Sequence, residues 1–511
     1  MAVTATYTLY VDWASDGSWA TGGDDISADW IGITIKRGYS SPLARYPFVG
    51  RMTVRLRNAA KTYSPPETAA ARPRRPVKLD MTYGGNTVTM FRGWIETLRP
   101  AFGTTRSRQA VMECVDAIAL LDRYDGEIAL QTNTYADDII TSVVAATYTP
   151  PATNYQSGIN MFPTAADRWT GRLLAWEGYG GGSGSGVLQR VNAANKIQDA
   201  CAGDWGRFFI SKAGAPTYYN RHQMPFDTTT ALTLDDDIVG MDYEMGVSDI
   251  YNTIEVTCHP RKIGEVNEVL GKMDQNHAVM IEASGAEIFD IQFRDPSNNA
   301  VQLGGKTIVT PVATTDFTVT SDEAGEGDDE TLNVTPTMTA YGDHATITIT
   351  NDVARIVWLQ PTLQVRGLAV RSLEPVTVIK EDDTSQGLYE KRRLRIDASL
   401  MSNPIHAENL AEWLLAYYKD PLHDIRGVTI FGNTNATFMA AVMNLELMNR
   451  VVLTETQTGL SAQATYIYSM QHQISRGSIH TLTLDLEIAK TYSARGIWNT
   501  SLWLGADKWV Y

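Results

Sequence analysis

The 511-residue sequence contains no long hydrophobic run. Its most apolar stretch, FMAAVMNLELM, is short and is broken by Asn444 and Glu446. A membrane-spanning helix needs about 20 apolar residues, so no stable membrane insertion is expected. Cysteine is scarce: Cys114, Cys201 and Cys258 stand far apart, with no CxxC. Such a set reads as reduced thiols in a protein made in a reducing compartment. The first twenty residues show no basic segment followed by an apolar one, so no secretory signal is expected. The eight histidines never pair at metal-ligand spacing, and HExxH, GxSxG and HxE…CxxC are all missing. The sequence therefore assigns no catalytic residue, no metal ligand and no cofactor. A carboxylate pair for glycoside hydrolysis needs only to meet in space, so sequence alone leaves that chemistry open.

The composition that remains is ordinary for a folded protein, with 43% hydrophobic and 20% charged residues. That excludes disordered and fibrous classes. The length exceeds what one core supports and implies several domains. Net charge is −15, unevenly placed: Lys36 to Arg108 holds fifteen Lys/Arg against three acids, a local +12 that leaves −27 elsewhere. One reading is a domain that happens to be basic. The other is a basic domain that faces an acidic neighbour while the rest repels nucleic acid. No interleaved aromatics or nucleic-acid motif accompany the basic residues, so no sequence-specific nucleic-acid binding is expected.

Period-two alternation dominates and predicts a mainly β protein. In RMTVRLRN (51–58), Met52, Val54 and Leu56 point one way; Arg51, Thr53, Arg55 and Arg57 point the other. PVKLDMTYGGNTVTMFRGWIETL reads as two strands joined at Gly84-Gly85-Asn86. Helical spacing appears at 135–147 and at 187–203, where Val191, Ala194, Ile197 and Cys201 share a face and Gly203 is a stop signal. A further helix is expected over 404–418, capped by Asn403, opened by Pro404 and apolar at Leu410, Trp413/Leu414 and Tyr417. The expected layout is a β-barrel over 1–125, an α+β insert over 126–250 and a β-rich domain over 251–369. A second barrel, containing the 404–418 helix, follows over 370–490, and an aromatic tail over 491–511.

Other motifs read as structure. GYGGGSGSG (178–186) lacks the Gly-Lys-Ser/Thr ending of a phosphate cradle and reads as a surface loop. SDEAGEGDDE (321–330) has no calcium-ligand register and reads as a solvated loop. Asp235-Asp236-Asp237 reads as a turn. Cys258 and His259 should face opposite sides of a strand, which argues against a joint site.

Several segments resemble structural proteins of tailed-bacteriophage baseplates and tail tips. GRMTVRLRNAAKTYSPP is similar to a segment near their start. DIYNTIEVTCHPRK resembles a strand of their hub proteins, and ATITITNDVARIVWLQPTLQVRGLAV a further strand pair. ENLAEWLLAYYKDP followed by strands resembles their C-terminal barrel, and WNTSLWLGADKW the Trp-rich endings of tail proteins. The resemblance implies a homotrimeric hub whose two tube-like barrels per subunit build a pseudo-hexameric ring. It also implies a place in the virion at the tail tip or baseplate, with synthesis in the host bacterial cytoplasm and a part in host attachment and genome delivery. Its partners would be other tail proteins: the distal tail or tube ring, the tape measure, and tip or fibre proteins. No appended peptidase, lysozyme or fibre domain is evident, so a non-enzyme is expected. The alternatives are a tail-associated enzyme that degrades cell wall or capsule, and a carbohydrate-binding tail protein.

Two candidate interfaces follow. Arg51, Arg55 and Arg57 share one polar strand face and would meet an acidic neighbour. Trp498, Trp503 and Trp509 sit five and six residues apart, which fits neither one helix face nor one strand face. They would enter separate pockets, on this chain or on a neighbour, or serve as sugar platforms.

Overall fold

The computed structural model describes residues 3–20, 23–64, 72–101, 108–126, 131–156, 173–175, 179–180, 189–221, 229–236 and 238–489. Trp498, Trp503 and Trp509, most of the 178–186 loop, His222 and Asp237 lie outside the described residues. The protein is mainly β with a few helices, built around three hydrophobic cores.

The first core begins with six strands: β1 (Thr6–Val11), β2 (Trp30–Gly38), β3 (Arg51–Arg57), β4 (Pro76–Tyr83), β5 (Asn86–Ala101) and β6 (Gln109–Val115). They lie in the order β1-β4-β5-β6-β3-β2. Alternation decides their faces. Met52, Val54 and Leu56 are fully buried, whereas Arg51, Arg55 and Arg57 are exposed. The β4–β5 turn puts Gly84 at φ +59° and Gly85 at φ +82°. A two-residue hairpin of this twist needs two left-handed residues, which glycine supplies without steric cost.

Six more strands complete the sheet: Thr230–Leu234, Gly240–Met245, His423–Phe431, Arg450–Glu455, Leu460–Ser475 and Ile479–Ile488. Numbered one to six along the chain, they lie in the order 1-4-5-6-3-2, which is the order of the first six. The fifth strand has 16 residues in both sets. Its register against the sixth shifts at the same place, between Ile95 and Thr97 in one set and between Ile467 and Ser469 in the other. Beyond the shift Thr97 faces Glu113, and Ser469 faces Asp485. Carried across the pairings, Arg51 matches Asp424 and Lys36 matches Glu244. Gly32 then matches Gly240, and Gly38 matches Gly246. The chain thus holds two copies of one strand plan. The first strand departs from it: β1 runs antiparallel to β4, while Thr230–Leu234 runs parallel to Arg450–Glu455.

The two sets join edge to edge. β2 pairs with Ser469–Ser475, the second part of the long strand whose first part pairs with Arg450–Glu455. Gly38 has φ +134°, and a Cβ there would lie 2.5 Å from the Cα of Ser469 and run into the carbonyl oxygen of Tyr468. The sections expected as separate barrels therefore share one twelve-stranded sheet and one core. Neither set closes on itself by strand pairing among the described residues.

The second core redraws the boundary expected at residue 370. Helix Pro404–Tyr418 packs on strands Thr253–Cys258 and Val376–Glu381, not within the last strands. Its core also holds helices Ala136–Thr147 and Ala193–Asp204. The reason lies in the order of the strand plan. The second set is interrupted between its second and third strands, so residues 246–422 form an excursion with its own apolar faces. Asn403 caps the helix by accepting from Ile405 N at 2.9 Å, with Pro404 in the first turn. The helix expected from residue 187 starts only at Ala193. Asn192 caps it through Ala194 N and Asn195 N, and the preceding Gln189–Asn192 is strand. Gly203 stays helical, and Trp205 takes the left-handed position at φ 56°. The third core, between residues 270 and 369, is built of strands, with one short 3-10 turn at Thr331–Asn333.

Candidate functional site

The arginine face expected on β3 lies on the outer side of the first strand set. β3 is an interior strand, paired with β2 and β6, so its backbone is satisfied and only its outward side chains are available. Arg51 is 55% exposed and donates to Glu96 at 2.9 Å; Glu96 also takes Arg123. An exposed pair of this kind contributes about 0–1 kcal/mol. Arg99 and Thr97 both reach Glu113 on the same side. The structure thus gives Arg51 a partner within the chain, while Arg55 and Arg57 project beside it. Arg55 Nη2 would lie 2.9 Å from a Cβ at Gly32, so the guanidinium lies across that glycine.

The edge strand of the second set, the counterpart of β2, is acidic. Gly240–Met245 is the last strand on its side of the sheet and carries Asp242 and Glu244. Val239, Met245 and Val247 are exposed there at 58%, 63% and 48%.

Where the cores meet lies a cationic pocket of about 390 Å³ lined by Arg45, Trp205, Arg207, Arg221, Tyr418 and Glu487, among others. Arg207 is fully buried and forms an ion pair with Glu487. Arg207 Nη2 and Arg45 Nη2 both donate to the carbonyl oxygen of Pro42, at 2.8 and 2.7 Å. Burial, then the Arg207 charge, pulls the Arg45 guanidinium below its ordinary range. Burial acts against Arg207 as well, but Glu487, ahead of Tyr39, holds it above its usual value. Tyr39 donates to Phe208 O at 2.9 Å, and burial keeps its hydroxyl protonated. This cluster ties β2, the helical region and the last strand together.

Sequence reasoning missed Glu487. In TLTLDLEIA it falls on the polar side of the alternation with Asp485. It is buried because the excursion covers that end of the strand, where Tyr417 Oη donates to Ile488 O at 2.7 Å. Nothing local to the strand signals that cover.

A second pocket, about 400 Å³, has apolar walls at Leu43, Tyr417 and Ile488 and a rim that includes Asp249 and Asp424. Burial, then Asp424, raises the Asp249 carboxyl. Asp424 is held by Arg426. The pair was not legible because the two acids are separated by the whole excursion. A third buried cluster runs Tyr7 Oη to His480 Nδ1 at 2.7 Å and His480 Nε2 to His472 Nδ1 at 3.0 Å.

Other expected motifs resolve as structure. Cys258 is buried, whereas His259 turns outward to Asp397 at 2.5 Å. The acidic 321–330 run is more than a solvated loop. Glu330 is buried and takes both Nε and Nη2 of Arg355, and Asp329 accepts from Thr331 N at 2.9 Å. Among the described residues no group of three His, Cys, Asp or Glu side chains is placed to hold a metal ion. None of the described helices is long and apolar enough to cross a membrane.

No family model matches the chain, and no curated protein matches it. Its fold is similar to solved structures of tail proteins. One is the tail protein from Neisseria meningitidis MC58, with TM-score 0.49 and 9% identity over 95% of this chain and 96% of that one. Another is the 43 kDa tail protein of prophage MuSo2 from Shewanella oneidensis, with TM-score 0.46 and 10% identity over 94% and 98%. A third is prophage tail protein gp18 from Listeria monocytogenes EGD-e, with TM-score 0.41 and 8% identity over 94% of each chain.

Proposed function

We propose that this chain is a structural protein of a bacteriophage tail, a baseplate or tail-tip hub whose three copies form a ring. The observation that carries the reading is the repeated strand plan. A subunit with two near-equivalent halves gives a trimer six near-equivalent modules. Such a ring offers six-fold spacing to a tube above and true three-fold spacing to a tip below. A closed head-to-tail ring also gives the basic outward face of β3 and the acidic edge strand Gly240–Met245 places against neighbouring copies. On this reading the chain acts by assembly and is not an enzyme. Its neighbours are further copies and other tail proteins: a distal tail or tube ring, a tape measure, and tip or fibre proteins. The arginines of β3 and the tryptophans of the tail are assigned to those contacts. Residues 246–422 would form the peripheral part, set outside the ring.

Sedimentation and negative-stain imaging of the purified chain test this. Three-copy rings with six similar lobes are expected. A chain that stays monomeric at every concentration and with every tail partner would overturn it. Truncation after Ala494 locates the tail's partner. A stable chain that no longer assembles places it on a neighbour; a chain that melts earlier places it on its own core.

A second reading, a tail-associated hydrolase of cell wall or capsule, has one observation in its favour: Asp249 and Asp424 line one pocket. Release of fragments from purified peptidoglycan or capsule, abolished by Asp249→Asn, would establish it.

A further inference from the structure

The strand plan is used twice, but its edge-to-edge joint is made only once within the chain. In the second set, the fifth strand continues past its bulge, and the free side of Ser469–Ser475 receives β2. In the first set the same stretch follows the bulge in β5. There β4 covers Asn86–Trp94, and the backbone of Arg74 and Arg75 covers Ile95 at 2.6 and 2.9 Å. β6 lies along the other side. Past Ile95 no strand pairs with the β4 side of β5 among the described residues. The strand that matches β2, Gly240–Met245, likewise has an outer edge that no described strand covers.

We infer that residues 242–246 of one copy, the end of the Gly240–Met245 strand and Gly246, pair antiparallel with residues 97–101 of the next copy, repeating between chains the joint that β2 makes within one. This rests on the ring reading and names its contact. The register follows from the internal joint, where Gly38 pairs with Ser469, Arg37 with Met470 and Lys36 with Gln471. Between copies, Gly246 would face Thr97, Met245 would face Leu98, and Glu244 would face Arg99.

Four features of the chain fit that register. Gly38 is glycine because the backbone of Tyr468 and Ser469 leaves no room for a Cβ; Gly246 repeats the glycine although nothing lies within 3.5 Å of a Cβ there. Arg37 and Tyr39 are 2% and 1% exposed at the internal joint, whereas their counterparts Met245 and Val247 are 63% and 48% exposed. Glu244 would meet Arg99 as a cross-strand pair of opposite charge. Pro100 lies in the stretch whose β4 side no described strand covers, and proline within a sheet belongs at an edge. An uncovered edge with apolar side chains is otherwise a liability for a soluble chain.

The paired variant Glu244→Cys with Arg99→Cys tests the joint in the full-length chain. Cross-strand partners lie within disulfide reach, and Cys114, Cys201 and Cys258 are buried. Mild oxidation should give covalent dimers and closed trimers, and neither single variant should give any. Rings without this cross-link would overturn the joint and leave the ring reading standing. A chain that never assembles would overturn both. Gly246→Val supplies an independent measurement. It should fold and melt like the parent, because a Cβ there meets only Glu244 Oε1 and the Ser248 hydroxyl at 3.6 Å, with no neighbouring strand against it, yet lose ring formation at least tenfold in concentration. Unimpaired rings from Gly246→Val would overturn the proposed register.

Discussion

Gly38 and Gly246 occupy one position in two copies of the same strand plan, and only Gly38 is pressed against another strand. Gly38 holds φ +134° against the backbone of Tyr468 and Ser469, while a Cβ at Gly246 would meet only the nearby Glu244 and Ser248, at 3.6 Å. Alanine at position 38 must find room at a strained φ and displace a paired strand. Its cost should be about 2–4 kcal/mol. Alanine at 246 should leave the melting temperature of the isolated chain within about 1 °C of the parent. Thermal melts of the two variants side by side check this. Equal losses would mean that the two glycines are not equivalent.

Reversing charge at Arg55 and Arg57 should leave the monomer's stability within about 0.5 kcal/mol, because both lie exposed on an interior strand. It should abolish assembly if these groups face an acidic neighbour, and assembly of the parent should weaken with salt. Arg51→Glu is a less clean probe, since it also sets Glu96 free beside a new carboxylate. Sedimentation at two ionic strengths distinguishes a screened interface from a solvated face.

The strands and two of the helices were legible because each depends on neighbours in sequence. Alternation placed Met52, Val54 and Leu56 inside, Asn403 and Pro404 marked a helix start, and Gly84-Gly85 marked a hairpin. The repeat was not legible. Its copies share a register and a bulge but few side chains: WIGITIKRGY matches IVGMDYEMGV at two glycines and one isoleucine-to-methionine exchange. A sheet needs only the alternation, so the polar positions can differ between the copies and even carry opposite signs, Lys36 against Glu244. Arginines 51, 55 and 57 were readable as an exposed row for the same local reason. Arg207, Glu487 and Arg45 were not, because what buries them is brought in from far along the chain.

Acid should unfold the chain partly through His472 and His480. Burial pulls His480 down to about 3; burial, then His480, Arg37 and Lys212, pulls His472 well below its usual value. In the unfolded chain both take up protons near pH 6.5. The unfolded state therefore binds more protons below that pH, and stability falls as pH drops from about 6.5 toward 3, by about 1.4 kcal/mol per pH unit for each proton. Asp116 and Asp204 act in the opposite sense. Burial raises each to about 7, so they oppose folding as pH rises from their unfolded value through 7. The parent's profile mixes both. The urea midpoint of the parent minus that of His472→Asn/His480→Asn isolates the histidines, and it should fall steadily as pH drops from 6.5 to 4.5. A difference independent of pH would show that the pair is not buried neutral.

Removing either member of the Arg207–Glu487 pair should be costly, but not equally. Breaking a buried pair leaves a charge without compensation, at about 3–5 kcal/mol. After Glu487→Gln, Arg207 and Arg45 still share the Pro42 carbonyl, so their Nη2 atoms stay at most 5.5 Å apart with no carboxylate between them. That variant should bear the full cost. After Arg207→Met, Glu487 keeps a cation within range, since the two groups already influence Arg45 together. That cost should be lower by about 1–2 kcal/mol. The double variant removes one charge of each sign and should recover about 1–3 kcal/mol relative to the sum of the singles. Urea midpoints of the four proteins provide the cycle. If Arg207→Met proved the costlier change, Arg45 would not be the group that shares Glu487, and the pocket's excess positive charge would have to be neutralised from outside the cluster.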